Sequence, residues 1–231
     1  MDLTPVTKVT ITEQIMEQLA NQIISGSLKP GEQLPTERDL AEIFDVTRGR
    51  VREALRALSL IGMIIIKPGG GSFVCNKDVL IPNRTISWMY HEELNNLKDI
   101  YSARRLIESE IYLSCFDIAD RQTIIHIRKL VSQLDSQLSP AAFLDQLNSL
   151  DLYVSSKCGN GVYHKLMQTL VLLRSESSIN ILGSDETKLS AIEHRKKIVS
   201  AFEKNNRILL EKSLADFFND SLNYILDQDQ D

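Results

Sequence analysis

Cysteine, proline and glycine are all scarce in this chain, and each shortage excludes something. The three cysteines (Cys75, Cys115, Cys158) stand far apart, with no CxxC pair and no zinc spacing. Neither a disulfide framework nor a thiolate metal cluster is expected, and the cysteines read as small buried or half-buried hydrophobes of a reducing cytoplasm. Ten glycines and six prolines in 231 residues exclude a fibrous or disordered chain. No run of about 18 apolar residues occurs, so no membrane-spanning helix is expected. Met1-Asp2-Leu3-Thr4-Pro5 has no basic start and no apolar stretch, so no secretory leader is expected either. Catalytic motifs are also missing: there is no nucleophile elbow, phosphate loop, HExxH or paired-cysteine metal cluster. Ser155-Ser156 beside Lys157 is an isolated match, and an enzyme is not expected.

What is present is a hydrophobic fraction of 43%, enough for a core, and a net charge of −5. The charge is unevenly placed. Between Val46 and Lys67 the cations are Arg48, Arg50, Arg52, Arg56 and Lys67, and the only acid is Glu53. An acidic chain with one local basic face suits a site-specific reader of nucleic acid and not a non-specific coat.

The periodicity places a first helix after Thr12, read as its cap, with Ile15, Leu19, Ala20 and Ile23 inward and Gly26 at its end. Thr36 caps a second helix, with Asp39 at the capping-box position and Leu40, Ala41 and Phe44 inward. Asp45-Val46 turns. Thr47 caps a third helix whose inward positions are Val51, Ala54, Leu55, Leu58 and Ile61, and Gly62 stops it. Met63–Ile66 and Ser72–Val74 read as strands around a Lys67-Pro68-Gly69-Gly70-Gly71 tip. Helix, helix, turn, helix, hairpin is the order of a winged helix-turn-helix.

Residues 76–92 read as a linker, with Pro82 opening a short helix through Trp88. Beyond them the helical period predicts helices over 94–117, 120–138, 140–158, 161–178, 187–205 and 206–227. The chain is thus expected to be mostly α. A winged helix-turn-helix over residues 1–75 is followed by an all-α bundle of six or seven helices over 93–231. The final residues, from Asp227, read as a frayed tail.

A recognition helix enters the major groove by its N-terminal end. Here that end is Thr47-Arg48-Gly49-Arg50-Val51-Arg52. Arginine's planar fork matches the O6/N7 edge of guanine. Thr47 can also touch phosphate, Gly49 lets a backbone come close, and Arg38 at the start of the preceding helix can clamp the phosphate chain. Arg56, one turn deeper, has a salt-bridge role open to it as well. Gly69 and its neighbours leave the wing tip without side chains, and Lys67 supplies charge beside it.

Leu34-Pro35-Thr36-Glu37-Arg38-Asp39-Leu40-Ala41, Val46-Thr47-Arg48, Val51-Arg52-Glu53-Ala54-Leu55-Arg56-Ala57-Leu58, Gly62-Met63-Ile64 and Lys67–Val74 closely resemble the GntR family of bacterial regulators. The resemblance implies DNA contacts at Arg38, Thr47, Arg48, Gly49, Arg50, Arg52 and Gly69. Gly49-Arg50 departs from the family pattern. The helical half resembles the FadR-type ligand-binding domain through Arg104-x-x-Ile107-Glu108, Cys158-Gly159-Asn160 and Glu193-His194-Arg195. That likeness implies a cytoplasmic homodimer, most simply a repressor, on double-stranded operator DNA. Its affinity would respond to a small carboxylate such as a sugar acid or hydroxy acid, with an acyl-CoA or fatty acid, or a degenerate pocket, as alternatives.

Many such domains hold a metal on one Asp and three His. The matching positions here fall on Leu147, Asp151, Arg195 (with His194 beside it) and Phe217 or Asp216, so no metal or other cofactor is expected. Arg104 shares a helical stripe with Leu97, Ile100, Ile107 and Ile111. Arg195 shares one with Ile192, Ile198 or Val199, and Phe202, and Arg174 with Tyr163, Met167 and Leu170. Arginines on apolar stripes need partners. Either they take a ligand carboxylate, or they pair internally, Arg104 with Glu108 or Asp151. Arg104, Asp151, Arg174, His194 and Arg195 are the candidate effector residues. His91, His126 and His164 read as surface or packing residues, and Trp88 and Tyr90 as hinge packing.

Overall fold

The structure is a computed structural model and describes residues 9–75, 82–177 and 181–228. Contacts divide the chain into two compact units, Met1–Thr85 and Ile86–Asp231.

The first unit contains α1 (Ile11–Ile24), α2 (Glu37–Phe44), α3 (Arg48–Leu60) and a two-stranded antiparallel wing of β1 (Ile64–Lys67) and β2 (Gly71–Val74). α1 starts two residues earlier than its predicted cap. Thr10, not Thr12, is the N-cap, because Thr10 and Glu13 complete a capping box: the Glu13 amide donates to Thr10 Oγ1 at 3.2 Å, and the Thr10 amide donates to Glu13 Oε2 at 2.7 Å. Thr12 is buried, and its hydroxyl donates to Glu53 at 2.9 Å. Thr36 and Asp39 form the capping box expected for α2. Asp45 ends that helix in the left-handed region at φ 50°, which a short polar side chain tolerates. Thr47 has the backbone of an N-cap, but its hydroxyl bonds no amide of the first turn, a correction to the cap expected of it.

The core of this unit is Ile15, Leu19, Leu34, Leu40, Val51, Ala54, Leu55, Leu58, Ile64 and Val74, which is the set of inward positions that the helical and strand periods select. Lys67 and Gly71 pair across the wing, so its tip is three residues long, Pro68 to Gly70, and not five. Gly71 takes φ 97°, where a side chain is strained, and a Cβ there would lie 2.7 Å from Gln33 Nε2, so the end of that side chain would have to shift. Gln33 Nε2 in turn donates to the Gly70 carbonyl at 3.1 Å, tying the tip to the segment before α2.

α4 (Asn83–Met89) crosses the division between the units, in agreement with the short helix expected after Pro82. Part of the expected linker, 76–81, lies outside the described residues. The second unit is all helical: α5 (Leu97–Ile118), α6 (Arg121–Ser132), α7 (Pro140–Ser156), α8 (Gly161–Ser177), α9 (Asp185–Glu203) and α10 (Arg207–Gln228), with single 3-10 turns at Glu93–Asn95 and Ile181–Gly183. Ile111, Tyr112, Cys115, Ile127, Val154, Met167, Ile198, Phe202 and Leu210 centre its core. The expected tail begins within the last turn of α10, and residues 229–231 lie outside the described set.

α6 stops at Ser132, six residues short of its predicted end, because distant side chains take over the polar groups of 133–138. Gln146 Nε2 donates to the Gln133 carbonyl at 2.9 Å, and the buried Lys188 ammonium donates to the Ser136 and Leu138 carbonyls, each at 2.9 Å. A loop whose carbonyls are satisfied this way has no need of the helical ladder. Among the described residues no helix is long and apolar enough to cross a membrane.

Candidate nucleic-acid interface and buried ion cluster

α3 buries Val51, Ala54, Leu55 and Leu58 and turns Arg48, Gly49, Arg50, Arg52, Glu53 and Arg56 outward. All of the arginines expected to read DNA are therefore on one exposed face. They are not equivalent. Arg52 is clasped by Glu37 of α2: its Nε donates to Oε1 at 3.1 Å and Oε2 at 3.0 Å, and its Nη2 donates to Oε2 at 2.7 Å. The hydrogen bond from Arg52 holds the Glu37 carboxyl below its usual range. Arg50 pairs with Glu53 at 3.2 Å, and Glu53 also accepts from Thr12. Arg38 stands near Asp39 and Glu42 at 3.6 and 3.9 Å. Arg48 and Arg56 form no ion pair among the described residues, although both charges are felt at Glu37. The exposed Thr47 hydroxyl is spare, and Lys67 stands 4.5 Å over the Phe73 ring on the wing.

In the helical unit, five elements converge on a buried ion cluster. α5 supplies Arg104, Glu108 and Tyr112; α7 supplies Asn148 and Asp151; α8 supplies Arg174; α9 supplies His194 and Arg195; α10 supplies Phe217 and Asp220. Arg104 (2% exposed) resolves its two sequence alternatives in favour of Glu108, donating at 2.7 Å. Asp151 is fully buried and accepts from Tyr112 at 2.6 Å, Arg174 at 2.7 Å and Arg195 at 3.2 Å. Burial raises the Asp151 pKa, but the Arg195 and Arg174 charges and the Tyr112 hydrogen bond outweigh it, and the carboxyl lies below its ordinary value. Tyr112 is pushed well up, chiefly by burial. Arg174 Nε also donates to Asn148 at 3.1 Å, and His194 Nε2 faces Asp220 at 2.9 Å.

A cavity of about 60 Å³ opens beside this cluster. Arg104, Arg174, His194 and Arg195 line it, with Leu144, Leu147, Leu182 and Phe217 as its apolar wall. Arg104, Arg174 and Arg195 set against Glu108 and Asp151 leave one excess positive charge in the buried set. Two buried atoms of lining residues, Arg195 Nε and His194 Nδ1, have no hydrogen-bond partner among the described residues. The arrangement suits a small anion with an apolar flank.

It does not suit a divalent metal. Leu147 and Phe217 offer no donor atom, Arg195 is a cation, Asp151 is already held by two guanidinium groups, and Asp216 is not among the residues that line the cavity. Of the five predicted effector residues, four line the cavity, and Asp151 stands behind them as their counter-charge. Sequence reasoning missed Tyr112, Asn148, Asp220 and, on α2, Glu37. Tyr112 lies one helical turn beyond Glu108 and two beyond Arg104, a spacing that could have flagged it.

The Ser155 hydroxyl lies 2.9 Å from the Leu152 carbonyl and 2.8 Å from His164 Nδ1, and Gln168 Nε2 meets His164 Nε2 at 3.2 Å, so the pair is held within a local hydrogen-bond chain between α7 and α8. His91 is exposed, and His126 packs on Tyr153 with ring centres 4.2 Å apart. All three cysteines are free and buried, and burial pushes the Cys115 thiol up to about 12.

Residues 11–74 match the family described as bacterial regulatory proteins, gntR family. This N-terminal unit belongs to the GntR family. The HTH-type transcriptional regulator Mce2R of Mycobacterium tuberculosis is 45% identical over 69 residues, which are 30% of this chain and 29% of that protein. The chain therefore matches under a third of that relative's length. An HTH-type transcriptional regulator of Bacillus subtilis, YcbG, which is itself uncharacterised, is 25% identical over 203 residues, covering 87% of this chain and 84% of that one. A solved structure, Streptococcus agalactiae GntR, matches in fold with a TM-score of 0.69 at 21% identity over 91% of this chain and 98% of that chain. The family and these relatives are regulators and not enzymes.

Proposed function

We propose that the chain is a cytoplasmic, DNA-binding transcriptional regulator, a repressor acting as a homodimer, whose grip on operator DNA is set by a small carboxylate in the helical unit. The DNA half of this reading rests on the GntR match and on the exposed arginine face of α3. The domain assignment follows the same division of labour: residues 1–75 hold DNA, and 93–231 bind the effector and dimerise.

The observation that carries the effector half is the buried excess of positive charge beside a cavity, with Arg195 Nε left unpaired. A carboxylate arriving there would neutralise the excess and take up the free N–H. The volume favours a small acid over an acyl chain: about 60 Å³ is room for a handful of waters at ~10–15 Å³ each.

The test is a thermal-shift screen of the full chain against hydroxy acids, sugar acids and acyl-CoAs, followed by anisotropy on DNA from its own upstream region. A small acid should raise Tm and change DNA affinity, and R195M should abolish both effects while leaving DNA binding. Stabilisation by acyl-CoAs alone, or by nothing while DNA binding persists, would overturn the effector reading.

A further inference from the structure

The Arg52–Glu37 clasp has a geometry with a consequence for base reading. Glu37 occupies one edge of the guanidinium, the Nε–H and one Nη2–H. The remaining edge, formed by Nη1 and the second Nη2–H, keeps two parallel donors. Those match the O6 and N7 acceptors of a guanine in the major groove.

Holding a carboxylate beside a DNA-facing helix is unfavourable, because phosphate repels it. Folding does not require it either: the two side chains are 53% and 37% exposed, and pairs so exposed add little stability. What the clasp does supply is a fixed plane for one arginine. Arg48, which forms no such pair among the described residues, is free to turn toward phosphate or base.

We infer that Glu37 is a specificity-determining positioning residue, which orients Arg52 so that it reads a single guanine in each half-site. This rests on the proposal that α3 is the groove-facing helix.

Glu37→Gln makes a prediction with two opposite signs. Removing a negative charge from the DNA face should tighten binding to every duplex, while loss of the fixed plane should erase discrimination at one base pair. The experiment selects bound sequences from a randomised duplex library with the full-length wild type, E37Q, E37D and R52K, and circular dichroism melting serves as the folding control. The wild type should show a guanine preferred roughly 10-fold or more at one position of each half-site. R52K and E37Q should flatten that same position and no other, E37D should restore part of it, and E37Q should bind random duplex at least as well as wild type.

An E37Q preference identical to wild type overturns the inference, as does flattening at a different position from R52K. A wild type that selects no sequence at all overturns instead the reading of α3 on which the inference stands.

Discussion

Asp151 is buried without exposure and bears the hydrogen bonds of a tyrosine and two arginines. Asp151→Asn would leave Arg174 and Arg195 as buried cations without their counter-ion. Breaking a buried pair from one side costs about 3–5 kcal/mol, so we expect a loss of that order in urea unfolding at neutral pH. The sign of the pH effect follows from the depressed carboxyl. Its stabilisation is complete above the unfolded value of about 3.9 and is lost as pH falls through the lower folded value. Wild type should therefore shed this contribution on acidification below about pH 4, and D151N should have none to shed. Equal stability of the two proteins at pH 7 would show that the cluster contributes nothing net. The stripes of α5, α8 and α9 showed in the sequence that Arg104, Arg174 and Arg195 point inward. They did not show which acid each arginine meets, because Asp151 lies 23 residues from Arg174 and 44 from Arg195 and reaches them only through packing.

At the scale of the element, α3 carries a glycine that its own unit does not require. Gly49 has no positive φ, and a Cβ there would meet only Thr47 Oγ1, at an unstrained 3.8 Å. Gly49→Ala should thus stabilise the protein by about 0.5–1 kcal/mol through the helical preference of alanine. The added methyl stands on the outward face, so the same variant should bind operator DNA less tightly. Melting temperature and fluorescence anisotropy read the two effects separately. If affinity is unchanged, the glycine does not mark a close approach of DNA.

Elements were legible where local signals sufficed. Thr36 with Asp39, Asp45, Gly62 and Pro140 each mark a boundary that the chain obeys. α6 was not, since what replaces the end of its ladder is Lys188, 52 and 50 residues along the chain from the two carbonyls it binds. Thr10 outcompeted Thr12 as a cap because only Thr10 has a glutamate three residues on.

For the whole molecule, the net charge of −5 opposes indiscriminate attachment to DNA. The cations of α3 and the wing must supply the attraction, and that attraction falls steeply with salt. In anisotropy titrations, random duplex should release the protein between about 50 and 200 mM salt, while operator DNA is retained over the same range. Parallel loss from both would mean that no base-specific contact adds to the phosphate contacts. Contacts divide the chain at Thr85–Ile86, beyond the point where the short strands of the wing give way to helical periodicity in the sequence.

Lys188 does more than end α6. It sits on α9, one residue from the cavity-lining Thr187 and two turns before His194 and Arg195. Its ammonium is the rein by which α9 holds the 133–139 loop. If α9 slides or turns when the cavity fills, the loop has to travel with it. Otherwise a buried cation must surrender both carbonyls and keep only Asp185, at 3.3 Å. The helix that lines the cavity is thereby tied, through one buried ammonium, to the segment that follows α6.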